Sequence, residues 1–198
     1  GSTLFPYTTL FRSDQKGGIA ATVAAVEGII ASGRKLSKPV GIVFVIDEES
    51  EHRGSMALKA MGIDAEFGVV TEPTGLRLGI GCKGTAPILV RIKGKAAHGC
   101  RPWLGENAVL AGMEITRMLL AVDLPARGIP GIGEAKGTLN LGKIEGGRAY
   151  NIVADTCELW FDRRLVPGET QADALEQFRK VIASYPARPG VSVTAEIA

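Results

Sequence analysis

The sequence predicts an α/β fold in two parts. A partial doubly wound unit, residues 14–77, precedes a complete α+β unit, residues 78–198, with helices on one face of an antiparallel sheet. Three observations carry this. Up to residue 77 the pattern runs helix, strand, helix, strand, as in a parallel sheet. Both of those strands end in carboxylates. From Leu78 onward short alternating strands and two helices follow in the order ββ-α-β-β-α-β.

The first residues stand apart. Thr3 to Ser13 shows no helical period and lacks the basic start of a signal peptide. It reads, letter for letter, as one frame through a sequencing-library adapter, so residues 1–13 are expected to be a non-native leader on a frame that opens inside a gene. Residues 14–32 form an amphipathic helix with Ile19, Val23, Val26, Ile29 and Ile30 on one face, and Gly33 stops it. Residues 39–46 are a buried strand that runs into Asp47-Glu48-Glu49. A helix over 54–61 carries Met56, Leu58 and Ala60, and a second strand, 67–71, runs into Glu72. Adjacent carboxylates repel one another, and a bound cation at the C-terminal edge of a sheet makes such crowding tolerable.

In the second part, residues 80–93 read as two β segments around Lys83-Gly84-Thr85, with Ile88, Val90 and Ile92 alternating against Leu89, Arg91 and Lys93. Gly79, Gly81 and Gly84 spell GxGxxG, but a strand follows where a dinucleotide site needs a helix. A loop bearing His98 leads to a helix over 106–121, its apolar face made of Ala108, Leu110, Ala111, Ile115, Met118 and Leu119. Residues 128–133 are a Gly/Pro-rich link. Strands follow at 136–144 and 151–164, then a helix at 172–184 and a strand at 191–197.

The formal charge of +2 favours no anionic partner, and no basic run interleaves with aromatics, so nucleic acid is not an expected partner. No apolar stretch reaches membrane-spanning length. Cys82, Cys100 and Cys157 are odd in number and widely spaced, which fits a reducing, cytoplasmic compartment and three small packing residues.

Taken together, D-Q-K-G-G from Asp14, D-E-E from Asp47, E-P-T from Glu72, K-A-A-H ending at His98, G-T-L-N-L-G-K-I-E-G-G, and N-I-V-A from Asn151 with D-R-R-L-V-P resemble the M20 metallopeptidase/amidohydrolase family. That family includes acetylornithine deacetylases, desuccinylases, aminoacylases and carboxypeptidases. The resemblance spans residues 14–198 and implies a catalytic domain followed by a lid, or dimerisation, domain. It implies two divalent metal ions, with zinc expected and cobalt or manganese as substitutes. Asp14 falls on the bridging ligand, Glu49 and Glu72 on ligands of the separate ions, and Glu48 on the general base. His98 matches the lid histidine that, in dimeric relatives, reaches into the partner's site and polarises the scissile carbonyl. Asn151 and Arg164 match lid residues that contact substrate, the arginine holding a carboxylate in its bidentate fork. Arg163 is a neighbouring rival, and strand alternation puts the two on opposite faces.

Departures from the family pattern are Gln15 for methionine, Gly99-Cys100 for serines and Ala154 for proline. His52 and His98 are the only histidines. The family's N-terminal H-x-D segment and C-terminal ligand histidine therefore have no counterpart, and the chain is expected to be inactive alone. The implied activity of the whole is amide hydrolysis of small N-acyl amino acids by a homodimer. A carboxypeptidase or dipeptidase of the same family, and a non-catalytic dimerisation or ligand-binding module, stand as alternatives.

Overall fold

A computed structural model describes residues 15–48 and 51–198. The chain divides into two units, one ending at Ile80 and one spanning Gly81–Ala198.

The first unit contains helices α1 (Lys16–Ala31) and α2 (Arg53–Ala60). Its expected strands are present as segments, but no ladder joins residues 39–46 or 67–71 to another strand among the described residues. A strand is defined by hydrogen bonds to a neighbouring strand, and among the described residues these segments make no such ladder. Their apolar side chains are accordingly exposed: Phe44 is 61% and Val69 88% accessible. Helix α1 buries no residue either, with Gly18, Thr22, Val26 and Ile29 only half-buried.

The second unit is a four-stranded antiparallel sheet in the order β4-β5-β1-β6. Strand β1 is Gly84–Lys93, β4 Thr138–Gly146, β5 Thr156–Leu165 and β6 Ser192–Ile197. Helices α3 (Ala108–Leu120) and α4 (Gln171–Ala183) pack on one face of it and on each other. Strand alternation turns Ala86, Ile88, Val90 and Ile92 of β1, and Cys157, Leu159 and Phe161 of β5, inward onto that helical layer. Phe161 meets Phe178 of α4 edge-to-face, with ring centroids 5.3 Å apart. Both helices begin on side-chain caps. Asn107 accepts the amides of Val109 and Leu110 at 3.0 and 3.1 Å, and Thr170 and Asp173 form a reciprocal capping box.

The opposite face of the sheet is charged. Arg91 lies between Glu158 of β5 (3.0 Å) and Glu196 of β6, and Lys143 stands over the Trp160 ring.

Several boundaries differ from the sequence reading. Residues 80–83 join no ladder among the described residues, so β1 is one strand. Strand β5 starts at Thr156 instead of 151, because His98 and Ile152 form an isolated bridge outside the sheet. The Gly/Pro-rich link is the tip of a hairpin, β2 (Ala126–Ile129) and β3 (Gly133–Lys136), whose turn uses Gly131 and Gly133 at positive φ. Leu110, placed on the apolar face of α3, is 54% exposed, and Gly112 takes the core position against the Cys157 sulfur.

Only Cys157 of the three cysteines is a packing residue; Cys82 and Cys100 are exposed. Burial raises the Cys157 pKa, with Glu158 adding to it, and a thiol so held is a poor nucleophile. Native protein is therefore expected to react rapidly with a thiol reagent such as DTNB at Cys82 and Cys100, and at Cys157 only on unfolding.

Across the helical layer, Glu114 of α3 accepts hydrogen bonds from the Tyr185 hydroxyl at 2.9 Å and from Arg188 at 2.8 Å. The Tyr185 bond, then Arg188, hold the Glu114 carboxyl below its ordinary value against the cost of desolvation. A depressed folded-state pKa gives stability that is present above the unfolded value of about 4.3 and lost as pH falls through the folded one. Tyr185→Phe is expected to cost about 1 kcal/mol at pH 7 and less at pH 3, measured by urea unfolding at both.

Candidate functional site

Of the expected site residues, Glu48 and Glu72 are described in the first unit, and His98, Asn151 and Arg164 lie in two places in the second. In the first unit, the Gln15 amide donates to the Glu72 carboxylate across 57 positions of sequence. Gly18 lies against Thr71 so closely that a Cβ there would stand 2.5 Å from the Thr71 carbonyl oxygen. The start of α1 is thereby seated on the segment that ends in Glu72, and a helix N-terminus favours a carboxylate. Asp47 turns the chain in the left-handed region at φ 63°, a conformation that Asp tolerates better than most residues. Its carboxylate takes the Arg53 Nε–H at 2.8 Å, and its carbonyl takes the His52 amide at 2.8 Å. Glu48 follows, exposed. His52 is exposed.

Asp14 and Glu49, two of the three expected metal ligands, lie outside the described residues. Among the described residues no three His, Cys, Asp or Glu side chains come together to hold a metal ion. Glu72 alone is too small a donor set for two cations, so the described residues do not by themselves fit the ions.

In the second unit, His98 and Asn151 lie on loops that pair backbone to backbone. Val153 N–H donates to Ala97 O at 2.9 Å, and Gly99 N–H to Asn151 O at 2.7 Å. Gly99 permits this approach, since a Cβ would stand 2.9 Å from the Asn151 oxygen. The base of the His98 loop is closed by the Lys95–Glu106 pair, with bonds of 2.9 and 2.8 Å in the two directions. The Asn151 loop is closed by Arg148, whose Nε and Nη2 both reach Asp155. A bidentate fork of this kind fixes geometry as well as charge. Both His98 and Asn151 are exposed.

Arg164 lies elsewhere. It sits near the C-terminal end of β5, opposite Thr85 and Thr138. His98 and Asn151 lie beyond the other end, where Thr156 pairs with Lys93. Eight residues of strand separate Thr156 from Arg164, a span of roughly 26 Å. The sequence reading gathered Asn151 and Arg164 as two contacts to one substrate; within one chain the sheet holds them apart. Arg164 is half-exposed, with its Nε–H on Asp162 at 3.0 Å. Arg163 points the other way, fully buried against Glu169.

Two residues near the site had been read only as departures. Gln15 contacts Glu72, and its place beside Asp14 was the available signal. Gly99 is required by the close loop contact, which depends on a pairing 52 residues away that no local pattern encodes.

The family model for a peptidase dimerisation domain matches residues 80–188, more than half of the chain. The chain belongs to the M20 peptidase family. Among curated M20 relatives, a probable carboxypeptidase of Aspergillus clavatus is 35% identical over 161 residues, covering 78% of this chain and 38% of its own length. An acetylornithine deacetylase of Yersinia pestis is 34% identical over 173 residues, covering 83% of this chain and 43% of its own. The chain thus spans about two fifths of the length of these relatives. In fold it is similar to a tripeptidase from Staphylococcus aureus, with a TM-score of 0.56 and 24% identity over 93% of this chain and 48% of that one. Aminopeptidase PepT from Bacillus cereus gives a TM-score of 0.54 at 22% identity, with the same coverage. The M20 family is one of hydrolases, and the antiparallel sheet with helices on one face is the architecture expected of its dimerisation domain. No helix among the described residues is long and apolar enough to cross a membrane.

Proposed function

We propose that this M20 chain is part of a dinuclear metal-dependent amidohydrolase that cleaves small N-acyl amino acids and works as a homodimer through its second unit. The observation that carries the dimer is the separation along β5. A ligand two residues long reaches about 7 Å, so it cannot touch Arg164 and the His98–Asn151 pair of one copy. A second copy supplies the missing end, with Arg164 holding the substrate carboxylate in one protomer and His98 and Asn151 entering from the other. Two surfaces support such pairing. Strand β4 is an open edge of the sheet, and Leu110, Met113 and Leu120 form an exposed apolar stripe along α3, which packs beside β4.

In this reading Asp14, Glu49 and Glu72 would hold the ions, zinc by preference, and Glu48 would be the general base. The ions would supply a nucleophilic water near neutral pH. The exposed, unpaired Cys82 and Cys100 fit a reducing, cytoplasmic setting. The names of the relatives leave acetylornithine deacetylase and carboxypeptidase as the two substrate readings. Expressing the gene with its flanking sequence and comparing turnover of N-acetylornithine with that of dipeptides separates them. Glu48→Gln is expected to lower kcat by about 10²–10⁴-fold in that enzyme; unchanged turnover would return the chain to a non-catalytic module. Sedimentation of the 198-residue chain tests the pairing: a dimer is expected, and Leu110→Glu with Met113→Glu should give monomers.

A further inference from the structure

His98 is held by its own loop. The Cys100 amide N–H points back at the imidazole Nδ1, 3.2 Å away, so that Nδ1 is an acceptor. The same turn is closed by the Arg101 amide on the His98 carbonyl at 2.8 Å. Between them Gly99 donates its own amide to Asn151 O at 2.7 Å, and its lack of a side chain lets the two loops meet. Three successive backbone amides are thus committed, and one of them is committed to the ring.

A neutral imidazole carries one proton, and whichever nitrogen accepts a hydrogen bond cannot be the one that bears it. We propose that the Cys100 backbone amide is a positioning group that fixes neutral His98 as the Nε2–H tautomer, so that Nε2–H is the donor offered to a substrate carbonyl. This rests on the reading of His98 as the carbonyl-polarising residue. The Cys100 thiol has no part in it. A Cys100→Ser or Cys100→Ala chain keeps the amide and keeps the tautomer, whereas Gly99→Ala pushes the turn off Asn151 and loosens the amide from the ring. The geometry also explains how a histidine on an exposed loop presents one defined nitrogen: the ring is tied to a turn that is tied to a second loop.

The experiment is nitrogen-15 NMR of the imidazoles in the 198-residue chain, above the ordinary imidazole pKa of about 6.5. With only two histidines present, a His52→Gln variant leaves a single ring to assign. The ratio of Nε2–H to Nδ1–H forms at His98 is expected to be about fivefold higher in the folded chain than in the same chain in urea, the factor that one ordinary hydrogen bond supplies. Cys100→Ser should preserve that ratio and Gly99→Ala should return it toward the urea value. Equal ratios in folded and unfolded chain, or an excess of Nδ1–H, overturn the proposal, as does a ratio that follows the thiol. Because the measurement needs no substrate, its failure is separate from that of the carbonyl-polarising role, which a His98→Ala variant of the longer enzyme tests by turnover.

Discussion

Glu169→Ala is expected to cost about 3–5 kcal/mol of unfolding free energy, among the largest single-residue effects in the chain. Arg163 is fully buried, and its guanidinium reaches the Glu169 carboxylate and the Arg164 carbonyl. The second oxygen of Glu169 accepts the Val166 amide at 3.1 Å, so the same carboxylate shapes the turn between β5 and α4. Burial lowers the Arg163 pKa while Glu169 raises it, yet a guanidinium stays charged at any working pH. Removing the carboxylate therefore leaves a buried cation that keeps the Arg164 carbonyl as a partner but has lost its counter-charge. The double variant Arg163→Met with Glu169→Leu should lie much closer to the unmodified chain, since removing both charges also removes both desolvation costs. Urea midpoints of the three proteins decide this, and a mild Glu169→Ala would show that water reaches the pair.

Phe178→Ala should be comparable, at about 3–5 kcal/mol. Phe178 is 1% exposed and is the largest apolar side chain α4 contributes to the helical layer. Its ring meets that of Phe161 on β5 at 79°, with Ala174 buried on the same helix. The cavity left between α4 and the sheet could not close without shifting the helix, which its capping box anchors at Thr170. Phe178→Leu keeps most of the volume and is expected to lose less than half as much. Thermal or urea unfolding monitored by far-UV circular dichroism provides the comparison.

The second unit was legible where the period was long enough to read. Helices α3 and α4 and strands β4 and β6 lie within a few residues of their expected places, because apolar periodicity is a local signal. By contrast, β1 is one strand where two segments were expected, and β5 begins at Thr156 instead of 151. The opposite facing of Arg163 and Arg164 also followed from strand alternation alone, and the structure buries one and exposes the other. The hairpin β2–β3 escaped because its strands are four residues each and its turn is rich in glycine. Residues 151–155 were read as strand, but residues 151–153 pair with the His98 loop, and such pairing is set by tertiary approach. For the site, the motifs were readable as sequence, and the distances between them were not. That Gln15 meets Glu72 and that the His98 loop meets the Asn151 loop are set by tertiary approach, and that Arg164 lies a sheet's length away is a consequence of register.

The segment Gly41-Ile42-Val43-Phe44-Val45-Ile46 has a second consequence. It is six residues long, free of charge and proline, rich in β-branched side chains, and exposed at every apolar position. Those are the requirements of a steric zipper, in which identical copies stack into a dry cross-β filament. At high concentration this segment is expected to template fibril growth, followed by thioflavin T fluorescence, and Val43→Lys is expected to suppress it.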